Sequence, residues 1–182
     1  TPTAFWGPRD IAVTADGQVL ITETGNKRVV IFDDQGNFIS EFGSAGMNAG
    51  EFDEPVGLAL GADGKLYVAD TWNQRVQVFV QDAADGRYYP FAAWDLTAWY
   101  GQSLDNKPYL TVDDQGRVYL ADSEGYRILV LSAEGQALYY WGDYGSDEST
   151  FGMPAAVALD GMGGAWVNDA GNSRLMYFVV PG

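Results

Sequence analysis

Apolar and polar positions along this chain fall into short runs separated by turn-forming residues, and the clearest stretch is Pro55 to Phe79. Apolar runs at Leu58 to Leu60 and Leu66 to Ala69 flank Asp63-Gly64, and a third at Val76 to Phe79 follows the polar link Thr71-Trp72-Asn73-Gln74. Asp-Gly between β-prone runs is a hairpin signal, because glycine tolerates positive φ at no steric cost. The pattern predicts three antiparallel strands in a row. No stretch sustains a 3.6-residue apolar period, so the expected fold class is all-β.

The same pattern is written four times. The turn glycines Gly17, Gly64, Gly116 and Gly163 lie 47, 52 and 47 residues apart, and Arg28, Arg75, Arg127 and Arg174 repeat those spacings. First strands are expected at Ile11 to Val13, Leu58 to Leu60, Leu110 to Val112 and Val157 to Leu159. Second strands follow at Val19 to Thr22, Leu66 to Ala69, Val118 to Ala121 and Ala165 to Asn168. Third strands are expected at Val29 to Phe32, Val76 to Phe79, Ile128 to Leu131 and Leu175 to Phe178. An outer fourth strand is visible at Phe38 to Phe42 and Leu138 to Trp141, and is blurred within Arg87 to Trp94. Four short antiparallel strands recurring at this period are the pattern of a β-propeller blade.

The repeated residues also carry a family resemblance. Gly50-Glu51-Phe52-Asp53-Glu54-Pro55, followed by Tyr67-Val68-Ala69-Asp70-Thr71-Trp72-Asn73-Gln74-Arg75-Val76-Gln77-Val78-Phe79, resembles the NHL repeat. Copies stand at Thr22 to Arg28, Ala121 to Arg127 and Asn168 to Arg174. The expected architecture is one NHL-like β-propeller domain or propeller segment over residues 1–182, with blades at about 8–43, 55–95, 107–142 and 154–182. The resemblance implies about six blades where this chain supplies four. The chain is therefore read first as part of a longer propeller, with closure as a small four-blade ring, or completion by a partner or a second copy, as the alternatives.

Two registers are open at the first residues. Ala4-Phe5-Trp6-Gly7 matches an outer strand like Tyr140-Trp141-Gly142, while Phe5-Trp6-Gly7-Pro8 matches the run-in Phe52-Asp53-Glu54-Pro55. Geometry favours the run-in, because an outer strand lies roughly 14 Å from the next inner strand and Gly7-Pro8 has no residues to cross that gap. At the other end, Phe178 to Gly182 matches Phe32 to Gly36, so the fourth blade is expected to lack its outer strand and expose an edge.

Composition narrows the chemistry. Twenty-five acidic and 10 basic residues give a net charge of −15, which repels phosphate backbones, so no nucleic-acid partner is expected. The plainer reading of that charge is solubility, with an acidic docking face as the alternative. Cysteine and histidine are absent, which removes disulfides, thiolate or imidazole metal ligands, and Ser-His or Cys-His nucleophile pairs. No run approaches the roughly 20 apolar residues that span a bilayer, so no direct membrane insertion is expected.

Glu23, Asp70, Asp122 and Asp169 occupy one repeat position, each five residues before Arg28, Arg75, Arg127 or Arg174. A ring of carboxylates suggests calcium, but each has its own arginine across the hairpin, so a structural ion pair is expected and no metal or cofactor. Phe32, Phe79 and Phe178 read as blade core, and Phe42 and Trp141 as packing between blades. Trp72 and Tyr126 lie in the polar links, and Trp99, Tyr100 and Tyr144 in the long crossings to the next blade. Such loops gather on one propeller face, where aromatic residues bind sugar or peptide by stacking; the equal alternative is that they cap the blades.

The resemblance to NHL propellers implies a non-catalytic protein- or glycan-binding scaffold module, part of a larger protein or assembly. Acidity, abundant Trp and Tyr, and the lack of cysteine point to a bacterial extracytoplasmic or cell-surface location. The rival is a calcium-dependent lactonase or esterase, for which similar propellers imply a Glu, Asn and Asp cluster; Glu54, Asn73 and Asp160 are its candidates. Lyases similar to this repeat use histidine, which the chain lacks.

Overall fold

The computed structural model describes residues 4–101 and 107–181. Among them, fifteen strands form four antiparallel sheets, accompanied by one 3-10 turn at Ala170–Asn172. The chain divides into two compact units, Thr1–Leu96 and Thr97–Gly182, each holding two sheets. Among the described residues no helix is long and apolar enough to cross a membrane.

In the first unit, blade one is β1 (Pro8–Val13), β2 (Val19–Glu23), β3 (Arg28–Phe32) and β4 (Phe38–Phe42), paired in that order. Blade two is β5 (Pro55–Leu60), β6 (Leu66–Asp70), β7 (Arg75–Gln81) and β8 (Tyr88–Asp95). The outer strand blurred in the sequence is therefore the longest of the blade. In the second unit, blade three is β9 (Leu110–Val112), β10 (Val118–Asp122), β11 (Arg127–Leu131) and β12 (Ala137–Trp141). Blade four stops at three strands, β13 (Pro154–Leu159), β14 (Gly164–Asp169) and β15 (Arg174–Val179). These are the meandering four-stranded blades of an all-β propeller, with the last lacking its outer strand.

The inner strands begin earlier than the apolar runs suggest, at Pro8, Pro55 and Pro154. Each pairs across a register shift in the following residues, which lets an extra residue enter the ladder. The first residues take the run-in register. Gly25 N donates to Trp6 O at 2.8 Å and Thr24 N to Gly7 O at 3.1 Å. Trp72 N to Asp53 O and Thr71 N to Glu54 O repeat this in blade two at 3.1 and 3.2 Å.

Each unit has its own core. Leu20, Val29 and Ile31 of blade one meet Leu58, Leu66 and Val68 of blade two, while Tyr119, Ile128 and Val130 of blade three meet Val157, Ala165 and Val167 of blade four. Outer-strand aromatics close these seams as expected: Phe42 lies 4.8 Å from Phe79, and Trp141 lies 5.8 Å from Phe178. The following glycines are sterically required. Gly43 and Gly142 both have φ of +103°, and a Cβ there would sit 2.6 Å and 2.4 Å from the Phe52 and Phe151 rings.

Candidate functional site

The geometry that recurs in every blade is the joint between its second and third strands. Glu23 faces Arg28, Asp70 faces Arg75, Asp122 faces Arg127, and Asp169 faces Arg174 as the last ladder pair. Their side chains meet at 2.5, 2.8, 2.8 and 2.9 Å, and all four carboxylates are buried. The residue before each arginine, Lys27, Gln74, Tyr126 or Ser173, takes a left-handed φ between +52° and +56°, which turns the link tightly enough to bring acid and arginine together.

The carboxylate does more than pair. It accepts the backbone N–H of the run-in: Asp53 N at 2.7 Å on Asp70, Trp99 N at 3.2 Å on Asp122, and Gly152 N at 2.8 Å on Asp169. Asn26, Asn73 and Asn172 add a side-chain donor three residues after their acid. In the sequence Asn73 is read only as a lactonase candidate; the recurrence of asparagine at this repeat position is the signal for its structural role.

The arginine reaches further still. Arg75 Nη1 donates to Met47 O at 2.7 Å, and Nη2 to Asn48 O and Glu51 O at 3.0 and 2.9 Å. Arg174 grips Ser146, Asp147 and Thr150 carbonyls in the same way, at 2.7–2.8 Å. The fork of guanidinium donors thus clamps the crossing loop that enters its blade. Arg28 instead bonds Glu41 and Ala4 O.

Burial and hydrogen bonding compete at these acids, with different outcomes. Burial pushes the Asp70 carboxyl up from its ordinary range, against the bonds from Asn73, Arg75 and Asp53 N. Burial also opposes charge at Asp169, but bonds from Met153 N, Asn172, Arg174 and Gly152 N together hold its carboxyl below the ordinary range. Every carboxylate of the set is engaged as a structural anchor.

The aromatic candidates separate. Tyr144 is 71% exposed on a crossing loop, and its ring meets Tyr126 edge-on at 4.8 Å. Tyr140 of β12 is also exposed, with Arg127 5.1 Å over its ring. Tyr100 is exposed. Trp72 is half-buried with Lys27 Nζ 5.2 Å over its ring. Trp99 is a correction to the binding-face reading: its side chain is buried and its indole N–H donates to Ala121 O at 2.7 Å, so it packs the run-in of blade three. The structure groups Tyr126 with Tyr144, and in the other unit sets Trp72 beside Lys27.

The lactonase candidates are each committed locally. Glu54 is buried and lies 3.4 Å from Lys27 Nζ. Asn73 Nδ2 donates to Gly46 O and Asp70, both at 2.9 Å. Asp160 caps its own turn, accepting Met162 N and Gly164 N at 2.7 and 2.9 Å. Among the described residues, no three acidic side chains gather into a group able to hold a metal ion.

Four-stranded meanders with a repeated acid–arginine joint define a chain of β-propeller blades. The NHL repeat model matches residues 5–32 and 52–79 of this chain. NHL repeat-containing protein 3 of Mus musculus is 39% identical over 78 residues, 41% of this chain and 22% of that protein. The match thus spans about a fifth of that relative's length. Among solved structures, a chain of the nidogen/laminin complex superposes with a TM-score of 0.68 at 17% identity, covering 94% of this chain and 60% of that one. A gluconolactonase of Xanthomonas campestris superposes at 0.66 with 18% identity, covering 96% and 57%. At these identities the likeness establishes the propeller fold.

Proposed function

We propose that this chain is a non-catalytic protein- or glycan-binding scaffold module, with Tyr126 and Tyr144 at the heart of its binding face. One observation carries the reading: two tyrosines from different loops stack edge-on, with the outer ring largely exposed, on a frame clamped by the Asp169–Arg174 joint. A pre-ordered aromatic pair offers contact area at little entropic cost on binding. The NHL repeats support a protein ligand. The acidic residues Asp143, Asp147 and Glu148, on the same crossing as Tyr144, favour one with basic character. Tyr100 and Trp72 belong to the same class of loop aromatic. Composition supports an extracytoplasmic or cell-surface setting.

The test is selection of a displayed peptide library and a glycan array on the wild-type chain and on Tyr126→Ala/Tyr144→Ala. Ligands enriched by the wild type should be lost from the variant while its melting temperature changes little. Equal enrichment on both proteins would sink the assignment of this face. A large drop in melting temperature would make the pair a packing element.

A further inference from the structure

The link end of the seam between neighbouring blades is closed differently in the two units. Between blades one and two, Lys27 Nζ lies 5.2 Å over the Trp72 ring and pairs with Asp53 and Glu54 at 2.8 and 3.4 Å. An ammonium, an aromatic face and two carboxylates are all supplied by the chain itself. The result is a cation site filled by its own lysine.

Between blades three and four the repeat puts other residues at the same positions. Tyr126 stands where Lys27 stands, with φ of +55° and +56°, each immediately before the joint arginine. Gly152 stands for Asp53, both donating their N–H to the joint acid, and Met153 stands for Glu54 before the proline of the inner strand. Gly171 stands for Trp72, two residues after that acid. A Cβ at Gly171 would lie 2.5 Å from the Gly152 carbonyl carbon, so the backbone leaves no room for a side chain at the Trp72 position. The lysine, the indole and both carboxylates are exchanged for a tyrosine and for small or neutral residues.

Aromatic surface and acidic charge return from a different element. Tyr144, on the crossing into blade four, sets its ring at 63° to that of Tyr126. Two rings at that angle make a corner, and each aromatic face carries the negative side of its quadrupole. Asp143 and Glu148, exposed on the same crossing, make no ion pair among the described residues. Arg127, next to Tyr126, is committed to Asp122 Oδ2 and Thr97 O, both at 2.8 Å. Among the described residues no lysine or arginine is set over either tyrosine.

We propose that the Tyr126–Tyr144 corner receives the ammonium group of a lysine side chain presented by a partner protein. The inference rests on the assignment of these two tyrosines to the binding face, and names the group that face recognises. Lys27 is the internal template: one seam holds a lysine of its own against an aromatic ring and carboxylates, and the equivalent seam keeps the rings and the acids without the cation. An ammonium over an aromatic face is attracted by the ring quadrupole, and the unpaired acids of the crossing add to that attraction. A net charge of −15 favours the approach of a basic partner.

Nuclear magnetic resonance titration of the 182-residue chain tests it, with the tyrosine ring signals followed as a glycine peptide carrying one central lysine is added. The Tyr126 and Tyr144 signals should shift saturably at millimolar peptide. The same peptide with norleucine in place of lysine keeps the methylenes and removes the charge, and should bind at least about fivefold more weakly. Tyr144→Phe should retain the lysine response, while Tyr144→Leu should lose it with an unchanged circular dichroism spectrum. Equal affinity for the lysine and norleucine peptides would overturn the cation assignment and leave the aromatic face in place. No shift of either ring with the lysine peptide would overturn it too, and ligand selection on Tyr126→Ala/Tyr144→Ala then decides the face separately.

Discussion

Arg75 pairs with Asp70 through Nε at 2.8 Å, and its remaining nitrogens hold three carbonyls of the loop that enters the blade. One residue thereby couples the strand joint, the link and the crossing loop. Arg75→Met leaves Asp70 buried without its counter-charge and should cost the first unit about 3–5 kcal/mol. Urea unfolding measures the loss. Hydrogen exchange should show the amides of Gly46 and Phe52, bonded within that loop, losing protection ahead of the strands. Unchanged loop protection would mean the clamp is idle.

The two acids with opposite shifts predict opposite responses to acid. Asp169 is held below its ordinary value of 3.8, so its contribution is complete above that pH and is lost as pH falls through the lower folded value. Asp70 is raised above 3.8 by burial, so its charge costs stability, and that cost is relieved as pH falls from the folded value toward 3.8. Asp169→Asn should lower the melting temperature at pH 7 and flatten its decline below about pH 4. Asp70→Asn should instead remove a gain on mild acidification. Melting curves from pH 3 to 7 that stay parallel for both variants would contradict this.

Glycines in turns and glycines in seams should behave differently. Gly142→Ala drives a Cβ to 2.4 Å from the Phe151 ring and 2.8 Å from Tyr126 O, at a φ of +103°. Gly36 has a φ of +79° with nothing within 4 Å, so alanine there meets only the backbone penalty. Gly142→Ala should cost more than Gly36→Ala by about 1–3 kcal/mol. Equal losses would show that Phe151 can move aside.

Phe52 and Phe151 fill equivalent sockets in different units, and both are fully buried. Each Phe→Ala should cost its own unit about 3–5 kcal/mol. Tryptophan reporters, Trp72 for the first unit and Trp166 for the second, would follow each loss separately. An equal loss at both reporters would make the two units a single cooperative block.

Much of this was legible in the chain alone. Short apolar runs and Asp-Gly turns specify strands and hairpins locally, and fourfold recurrence multiplies a weak local signal into a propeller. The acid–arginine pairs were legible too, because five residues across a tight link leave the two side chains few other partners. What the sequence could not decide depends on contacts between distant segments. Trp99 and Tyr144 are both aromatic residues in crossings, yet one reaches a backbone carbonyl inside its blade and the other meets water. The loop clamp of Arg75 joins carbonyls 24 to 28 residues away, and carbonyls carry no mark in a sequence. Leu175 and Val29 read alike as strand residues. Only the packing of blades determines that Val29 is covered and Leu175 is bare, because burial belongs to the neighbour across the seam as much as to the residue itself.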